Sequence, residues 1–205
     1  MKLSNFWSQT FFFAVIIFLF ASFYQFLQYK NYNLYLINKS LADTAVILIG
    51  FSFALSGIAF FTPFLKNVLV YRKQLGVIGF FTGIIHVLIT VFFLSRIFPF
   101  PSYFLSNPTP FIFSTLTVVL FTIMTVVSNF GIPQKIGGKN WRRILRTGYL
   151  GIVFLIFHFG ILNFQSWLFW LRNPLSDLPP MTFFLFLFFL FVLILRLFLY
   201  LKIKK

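Results

Sequence analysis

The sequence predicts an all-α integral membrane protein, a six-transmembrane-helix bundle with both termini cytoplasmic. Hydrophobic residues make up 60% of the chain and charged residues only 9%, whereas soluble domains carry about 25% charged residues. The apolar residues fall into six runs. The length of each run is close to that of a helix that crosses a bilayer, about 20 residues. The runs lie at about 7–27, 44–65, 75–98, 111–130, 147–171 and 181–201. We therefore interpret residues 1–205 as a single transmembrane domain.

The first run is predicted to be a transmembrane helix and not a cleaved signal peptide. The second is predicted to be a helix that packs closely against its neighbours. The first run is too long for the apolar core of a signal peptide, and Ala21-Ser22-Phe23 is a poor cleavage site. A polar connection is expected at 28–43. In the second run Gly50 and Gly57 share a helix face, where small residues let neighbouring helices approach. Pro63 is expected to end this helix.

The third and fourth runs are predicted to be helices that flank a proline-rich loop. The third run contains His86, and the prolines between Pro99 and Pro110 break any helix that would follow it. The fourth run carries scattered Ser and Thr hydroxyls, which can bond back to carbonyls of their own helix. These hydroxyls need no functional explanation.

The fifth run is predicted to follow the most basic connection of the chain, at 131–146, where Gly137-Gly138 is expected to form a turn. It contains His158, the only other histidine. The sixth run consists almost entirely of Phe and Leu and carries Arg196 near its end. The long side chain of Arg196 can reach the interface.

Basic residues between the runs predict the orientation. With six crossings, one face carries twelve Lys and Arg residues and the other carries four. The twelve are Lys2, Lys66, Arg72, Lys73, Lys135, Lys139, Arg142, Arg143, Arg146, Lys202, Lys204 and Lys205, and the four are Lys30, Lys39, Arg96 and Arg172. Because basic loops stay on the cytoplasmic side, both termini are expected there, with the basic face on anionic membrane lipid. The net charge of +15 is thus a topology signal and does not indicate nucleic acid.

The composition excludes several classes of function. The chain has no cysteine, so it forms no disulfide, Fe–S cluster or thiolate zinc site of its own. Asp43 and Asp177 are its only carboxylate side chains, so paired-carboxylate hydrolysis and carboxylate-bound Mg²⁺ are poorly supported. No phosphate-binding or dinucleotide-binding glycine motif is present.

The two histidines are predicted to lie at the same depth. His86 lies eleven residues after Leu75, and His158 lies eleven residues after Thr147, which places both about 16 Å from the basic boundary. Zinc normally takes three or four protein ligands, whereas axial haem ligation needs only two imidazoles. Use of each histidine as a separate interhelical hydrogen-bonding group remains open.

Each histidine follows glycines on the same helix face. Gly76, Gly79 and Gly83 precede His86 at spacings of three and four, and Gly148 and Gly151 precede His158 in a similar register. Such glycines would give a flat macrocycle clearance between helices. The alternative is that they serve helix–helix contact alone.

Two blocks of sequence carry a family resemblance. The first comprises Phe61-Thr62-Pro63-Phe64-Leu65, Tyr71-Arg72-Lys73-Gln74-Leu75-Gly76, Phe80-Phe81 and His86, and the second comprises Gly138-Lys139-Asn140-Trp141-Arg142-Arg143-Ile144-Leu145-Arg146, Tyr149 and His158. Over about 44–162 the chain resembles ferric-reductase-like transmembrane domains. The most similar pattern is that of the haem-binding membrane subunit of the bacterial periplasmic methionine sulfoxide reductase system. The chain departs from that pattern at Leu145, where those subunits usually have a histidine.

The resemblance implies an electron-transfer component of an oxidoreductase system in the bacterial cytoplasmic (inner) membrane. It implies one haem b, with His86 and His158 as the iron ligands. The other expected cofactor-binding residues are Gly79, Gly83, Gly151, Arg72 and Arg146, the two arginines serving haem propionates or docking.

The resemblance also implies where electrons enter and leave. No FAD or NAD(P) domain is expected after Leu201, so electrons would come from a cytosolic flavin reductase or a membrane quinol. They would pass to a periplasmic oxidoreductase or another acceptor on the outer face. Tyr149, Asn163 and Gln165 are candidate residues of a quinone pocket. The competing interpretation is a non-haem membrane protein, a transporter subunit or assembly factor, that uses the histidines for helix packing or proton sensing.

Overall fold

The computed structural model describes residues 3–129, 132–174 and 177–204. This part of the chain is mostly helical and has no strand. Its α-helices are α1 (Leu3–Tyr29), α2 (Leu34–Phe61), α3 (Arg72–Leu88), α4 (Ser102–Ser106), α5 (Pro108–Val127), α6 (Ile132–Arg172) and α7 (Met181–Lys204). A 3₁₀ helix, Pro63–Tyr71, leads into α3, and a π-helical turn, Ile89–Phe93, follows it. Lys2, Lys205 and positions 130 and 131 lie outside the described residues.

Six helices in the described part are long and apolar enough to cross a membrane. They are α1, α2, α3 with its two flanking turns, α5, α6 and α7. The predicted all-α, six-span architecture is therefore confirmed.

The second helix begins earlier than predicted. α2 starts at Leu34, where the side chain of Asn33 accepts a hydrogen bond from the Leu36 amide and caps the helix. Residues 34–43, predicted as part of a polar loop, are helical because Asn38 and Asp43 face inward and are 2% exposed. Polar residues in this stretch mark a packed interior face of the helix.

The third helix is displaced relative to the predicted run. The connection predicted between the second and third spans is largely the 3₁₀ helix, which has Pro63 in its first turn. Proline suits that position because the first amide of a helix lacks an intrahelical acceptor. At the other end the helical part stops at Phe93, so 94–98 form a bend.

The fourth predicted connection, 131–146, lies mostly inside α6. The helix is interrupted at Gly137, which has φ +74° and ψ 151°, a conformation that glycine adopts without the strain of a side chain. The predicted glycine turn is therefore present, but the chain is helical again from residue 138. The stretch from Gly138 to Arg172 is about 50 Å long, so its basic first turns reach beyond a hydrocarbon core of about 30 Å.

The bundle is built around α2. In the most apolar window of each span, 61% of α2 is buried, whereas the corresponding value for every other span is 33% or less. Phe53 of α2 packs on Phe121 of α5 and on Tyr149 of α6. Gly50 and Gly57 lie against Phe188 and Leu195 of α7, so the small residues of α2 do serve close helix packing.

Candidate functional site

The imidazole of His86 is held against α2. Its Nδ1 lies 3.1 Å from the backbone oxygen of Asn38 and 3.1 Å from Asn38 Oδ1. Both atoms accept hydrogen bonds, so Nδ1 carries the proton and donates it. In the neutral ring the other nitrogen, Nε2, then presents a lone pair.

A short hydrogen-bond chain fixes the Asn38 amide. Asn38 Nδ2 donates to Thr90 Oγ1 at 2.8 Å, and Thr90 Oγ1 donates to the backbone oxygen of His86 at 2.9 Å. The amide nitrogen is thereby turned to Thr90 and the amide oxygen to His86. The sequence offered one sign of this network, since Thr90 lies one helical turn after His86. The sequence analysis did not identify Asn38, because this residue lies in a segment that was predicted to be a loop.

The imidazole of His158 is held in the same way against α5. Its Nδ1 lies 2.9 Å from the backbone oxygen of Pro110, so it also donates. Pro110 is buried in the first turn of α5. Within the part of the chain that the structure describes, neither histidine has a hydrogen bond at Nε2. Each ring therefore offers one unshared nitrogen lone pair.

Packing on α2 places the two histidines at the same depth. A Cβ on Gly76 would lie 3.0 Å from Ser52 Oγ, and Phe53, the next residue of α2, packs against Gly148. Gly76 and Gly148 are therefore level. His86 and His158 each follow ten residues later, about 15 Å further across the bundle.

The predicted helix starts did not themselves establish this match. α3 begins at Arg72, and α6 is helical from residue 138 after its break, so counting from Leu75 and Thr147 has no structural basis. The shared depth follows instead from α2, which touches both helices.

The two histidine-bearing helices are separated from each other. α3 packs mainly on α2, α6 packs mainly on α5, and α3 and α6 scarcely touch. Both imidazoles are half-buried. In the described residues, no group of three His, Cys, Asp or Glu side chains comes together. The two histidines are therefore too few for a zinc site with three or four protein ligands.

The glycines beside the histidines pack against neighbouring helices. A Cβ on Gly79 would lie 3.0 Å from Leu48 Cβ and 3.1 Å from the Ile49 amide nitrogen of α2. A Cβ on Gly83 would lie 3.6 Å from Ala45 Cβ, and one on Gly151 would lie 2.8 Å from the Phe121 ring of α5. Helix–helix contact, the alternative given above, accounts for these glycines, and the histidines alone carry the candidate site.

The structure does not bring Arg72 or Arg146 to the histidines. Arg72 lies fourteen residues before His86 on the same helix, a separation of about 21 Å. Arg146 lies twelve residues before His158, or about 18 Å, and is exposed. Neither arginine contacts a histidine in the described residues, and their expected role toward haem propionates or docking stays a prediction.

The three candidate quinone residues are also apart. Tyr149 packs edge-on against Phe53, and Asn163 Nδ2 donates to the backbone oxygen of Phe159 in its own helix at 2.8 Å. Gln165 is exposed.

A cavity of about 260 Å³ lies at the basic end of the bundle, about one and a half to four helical turns from the level of His86. Its walls come from α2, the 3₁₀ helix, α3, α5 and the first turns of α6. Arg72, Trp141 and Leu145, the position that departs from the family pattern, line it. Sequence reasoning missed this cavity because its polar wall, with Arg72, Lys73 and Trp141, comes from segments that were predicted as connections between spans.

The comparisons with known proteins add no family assignment. No family model matches the chain, and no curated protein matches it. The ferric-reductase-like resemblance therefore stays a prediction.

Proposed function

We propose that this protein is a b-type haem membrane subunit that passes electrons across a bacterial inner membrane. One observation carries the proposal. On two helices at the same depth, each histidine donates Nδ1–H to a backbone oxygen and leaves Nε2 without a partner among the described residues. Metal-bound histidines are typically oriented in this way, by a hydrogen bond from the ring nitrogen that does not bind the metal.

The donor set suits haem better than other metal centres. Two imidazole nitrogens are too few for a closed zinc site, but they are the full axial complement of a six-coordinate haem. When bound, such a haem supplies a one-electron redox centre. His86 and His158 would hold it, and Asn38, Thr90 and the Pro110 carbonyl would fix the two ring orientations.

The protein around the pair would control access to the centre. The half-buried rings lie within a bundle whose neighbouring faces are apolar, and a site of low polarity favours the less charged redox state. Electrons would come from a cytosolic flavoprotein or a membrane quinol and pass to an oxidoreductase on the outer face. The family resemblance supports these partners, and the basic end of the bundle is suited to dock an acidic flavoprotein.

The proposal is tested by reduced-minus-oxidised absorption spectra of the full-length protein purified from haem-replete cells. We expect a reducible b-type spectrum in the wild type and its loss in His86→Asn and His158→Asn. Asparagine suits the test because its Nδ2 takes the place of the histidine Nδ1 as donor, while no nitrogen replaces Nε2. A wild-type protein that is folded and colourless would overturn the proposal.

The competing function is a non-haem membrane protein in which the histidines only tie helices together. It is favoured by the same bonds from Nδ1, since each already joins two helices. It predicts that His158→Asn, which keeps the bond to Pro110, retains full stability and activity in cells. Loss of activity in a stably folded His158→Asn protein would argue against it.

A further inference from the structure

Positive charge converges at the basic end of the bundle, where the described residues include no carboxylate side chain. Arg196 of α7 lies over the Tyr149 ring, with its guanidinium carbon 5.2 Å from the ring centroid. Phe53, which packs edge-on against the same Tyr149 ring, lines the cavity together with Arg72. The chain has only two acidic side chains, and neither is near. Asp43 is bonded to Gln25 about 13 Å along α2 from Ser52, and Asp177 follows α6 at the opposite end.

Arg72 is held in place but is only partly satisfied. Its Nε donates to the backbone oxygen of Ser52 at 3.1 Å, and Ser52 Oγ donates to the backbone oxygen of Arg72 at 2.7 Å. This reciprocal pair fixes the first turn of α3 against α2. Among the described residues, the two terminal nitrogens of the guanidinium have no acceptor, so they remain available to a ligand.

The cavity beside Arg72 presents hydrogen-bond donors. Arg72, Lys73 and Trp141 line it. The indole Nε1 of Trp141 is buried and has no hydrogen-bond partner in the described residues. A buried donor without an acceptor is costly, and here it lies beside two cations. The donors together indicate an anionic ligand.

The remaining walls indicate that the anion is attached to a lipid. Val77, Phe80 and Met124 make the deeper part of the cavity apolar. Leu69 and Val70, on the 3₁₀ helix, line it and are 38% and 46% exposed on the bundle surface. A phosphate would meet the donors while an acyl chain follows the apolar wall.

We propose that this cavity binds the phosphate of an anionic phospholipid through Arg72, Lys73 and Trp141, with Arg196 adding to the positive potential. Basic pockets between transmembrane helices bind lipid headgroups through the same physical chemistry. The guanidinium group is well suited because its planar fork matches phosphate oxygens. The site is distinct from the histidine pair, since His86 lies ten residues further along α3 than Gly76.

The test is native mass spectrometry of the full-length protein titrated with phosphatidylglycerol or phosphatidylcholine of identical acyl chains. We expect the wild type to bind phosphatidylglycerol more tightly. The double variant Arg72→Gln/Lys73→Gln is expected to weaken that binding by about tenfold or more, since it removes both charged donors from the cavity. Trp141→Phe, which changes no charge, should weaken it by a smaller factor.

The matched control is Arg142→Gln/Arg143→Gln. These two residues are exposed on the same end of the bundle, so their loss removes equal charge and leaves the cavity intact. Equal weakening in both double variants, or no preference in the wild type, would overturn the proposal. Competition by millimolar inorganic phosphate with no lipid preference would instead identify a free phosphate and overturn the lipid assignment.

Discussion

At the scale of single residues, the hydrogen bonds made by Nδ1 decide what each histidine ring is free to do. The donors of His86 and His158 are already bonded to oxygens of α2 and α5. Rotation of either ring would break an interhelical bond inside a membrane, where replacement partners are scarce. The two Nε2 atoms are therefore held in fixed directions before any ligand arrives.

Replacing Asn38 by Leu is predicted to weaken haem retention by about tenfold to a hundredfold. The change removes the side-chain oxygen that faces His86 and leaves Thr90 without its donor. Haem loss to a competing apoprotein would measure the effect. Asn163→Leu is the control, because the Asn163 amide bonds only within its own helix, and equal losses in the two variants would contradict the positioning role.

Asp43 offers a second prediction for a single residue. Its Oδ2 accepts a 2.6 Å hydrogen bond from Gln25 Nε2, while Gln25 Oε1 has no partner among the described residues. In Asp43→Asn, the new amide can donate to Gln25 Oε1 and still accept from Nε2. We expect an unchanged or higher melting temperature in detergent.

Asp43→Leu is the contrasting variant. It leaves both polar atoms of the fully buried Gln25 unpaired, and each unsatisfied buried group costs about 1–3 kcal/mol. Its melting temperature should therefore fall below those of the wild type and Asp43→Asn. A lower melting temperature for Asp43→Asn than for Asp43→Leu would refute this description of the pair.

At the scale of helices, α3 is positioned by the face that it shares with α2. Gly76, Gly79 and Gly83 meet Ser52, Ile49 and Ala45 in succession, and His86 meets Asn38 at the far end. The same row of contacts that packs the helices thus sets the depth and direction of the histidine.

Alanine substitutions at Gly79 and Gly83, both on this face, should affect the stability of the protein differently. At Gly79 the new methyl group would press on the backbone of α2 at 3.1 Å, and overpacking of this kind costs about 1–3 kcal/mol. At Gly83 the nearest atom is 3.6 Å away, so Gly83→Ala should be neutral or gain up to about 1 kcal/mol. Thermal unfolding in detergent measures both.

The same pair of variants tests the other interpretation of the glycines. If Gly83 gives clearance to a macrocycle, Gly83→Ala would change the haem spectrum while keeping the fold. If Gly83 serves helix packing alone, we expect the haem spectrum of Gly83→Ala to be unchanged.

The helices also show how much the sequence could predict. The six spans and the two histidines followed from hydropathy and residue type, because bilayer thickness imposes a nearly fixed length of apolar helix. The start of α2 and the first turns of α6 did not follow. Polar and basic residues favour loops in sequence analysis, yet Asn38 is buried inside the bundle, and Arg142 and Arg143 lie on helical turns that reach beyond the hydrocarbon.

At the scale of the whole molecule, the protein is a bundle with a central helix and two unlike ends. One end carries the Arg72 cavity and most of the positive charge, and the histidine pair lies nearer the other. The proposed lipid site and the proposed haem site would therefore lie at different depths of the same helices and serve separate functions.

The orientation of the bundle is predicted from its basic residues. A reporter enzyme that is active only in the cytoplasm should be active when fused after residue 205 and inactive when inserted between 173 and 180. The opposite activities would show that the basic end faces outward, against the expectation from positive charge.

The central claim is that His86 and His158 bind one haem between them. The most direct measurement is an electron paramagnetic resonance spectrum of the oxidised, purified protein with its haem content per chain. We predict one haem per chain with a low-spin ferric signal from two imidazole ligands, absent in His86→Asn and His158→Asn. A folded wild-type protein without a haem signal, or with a low-spin signal that persists in both variants, would contradict the claim.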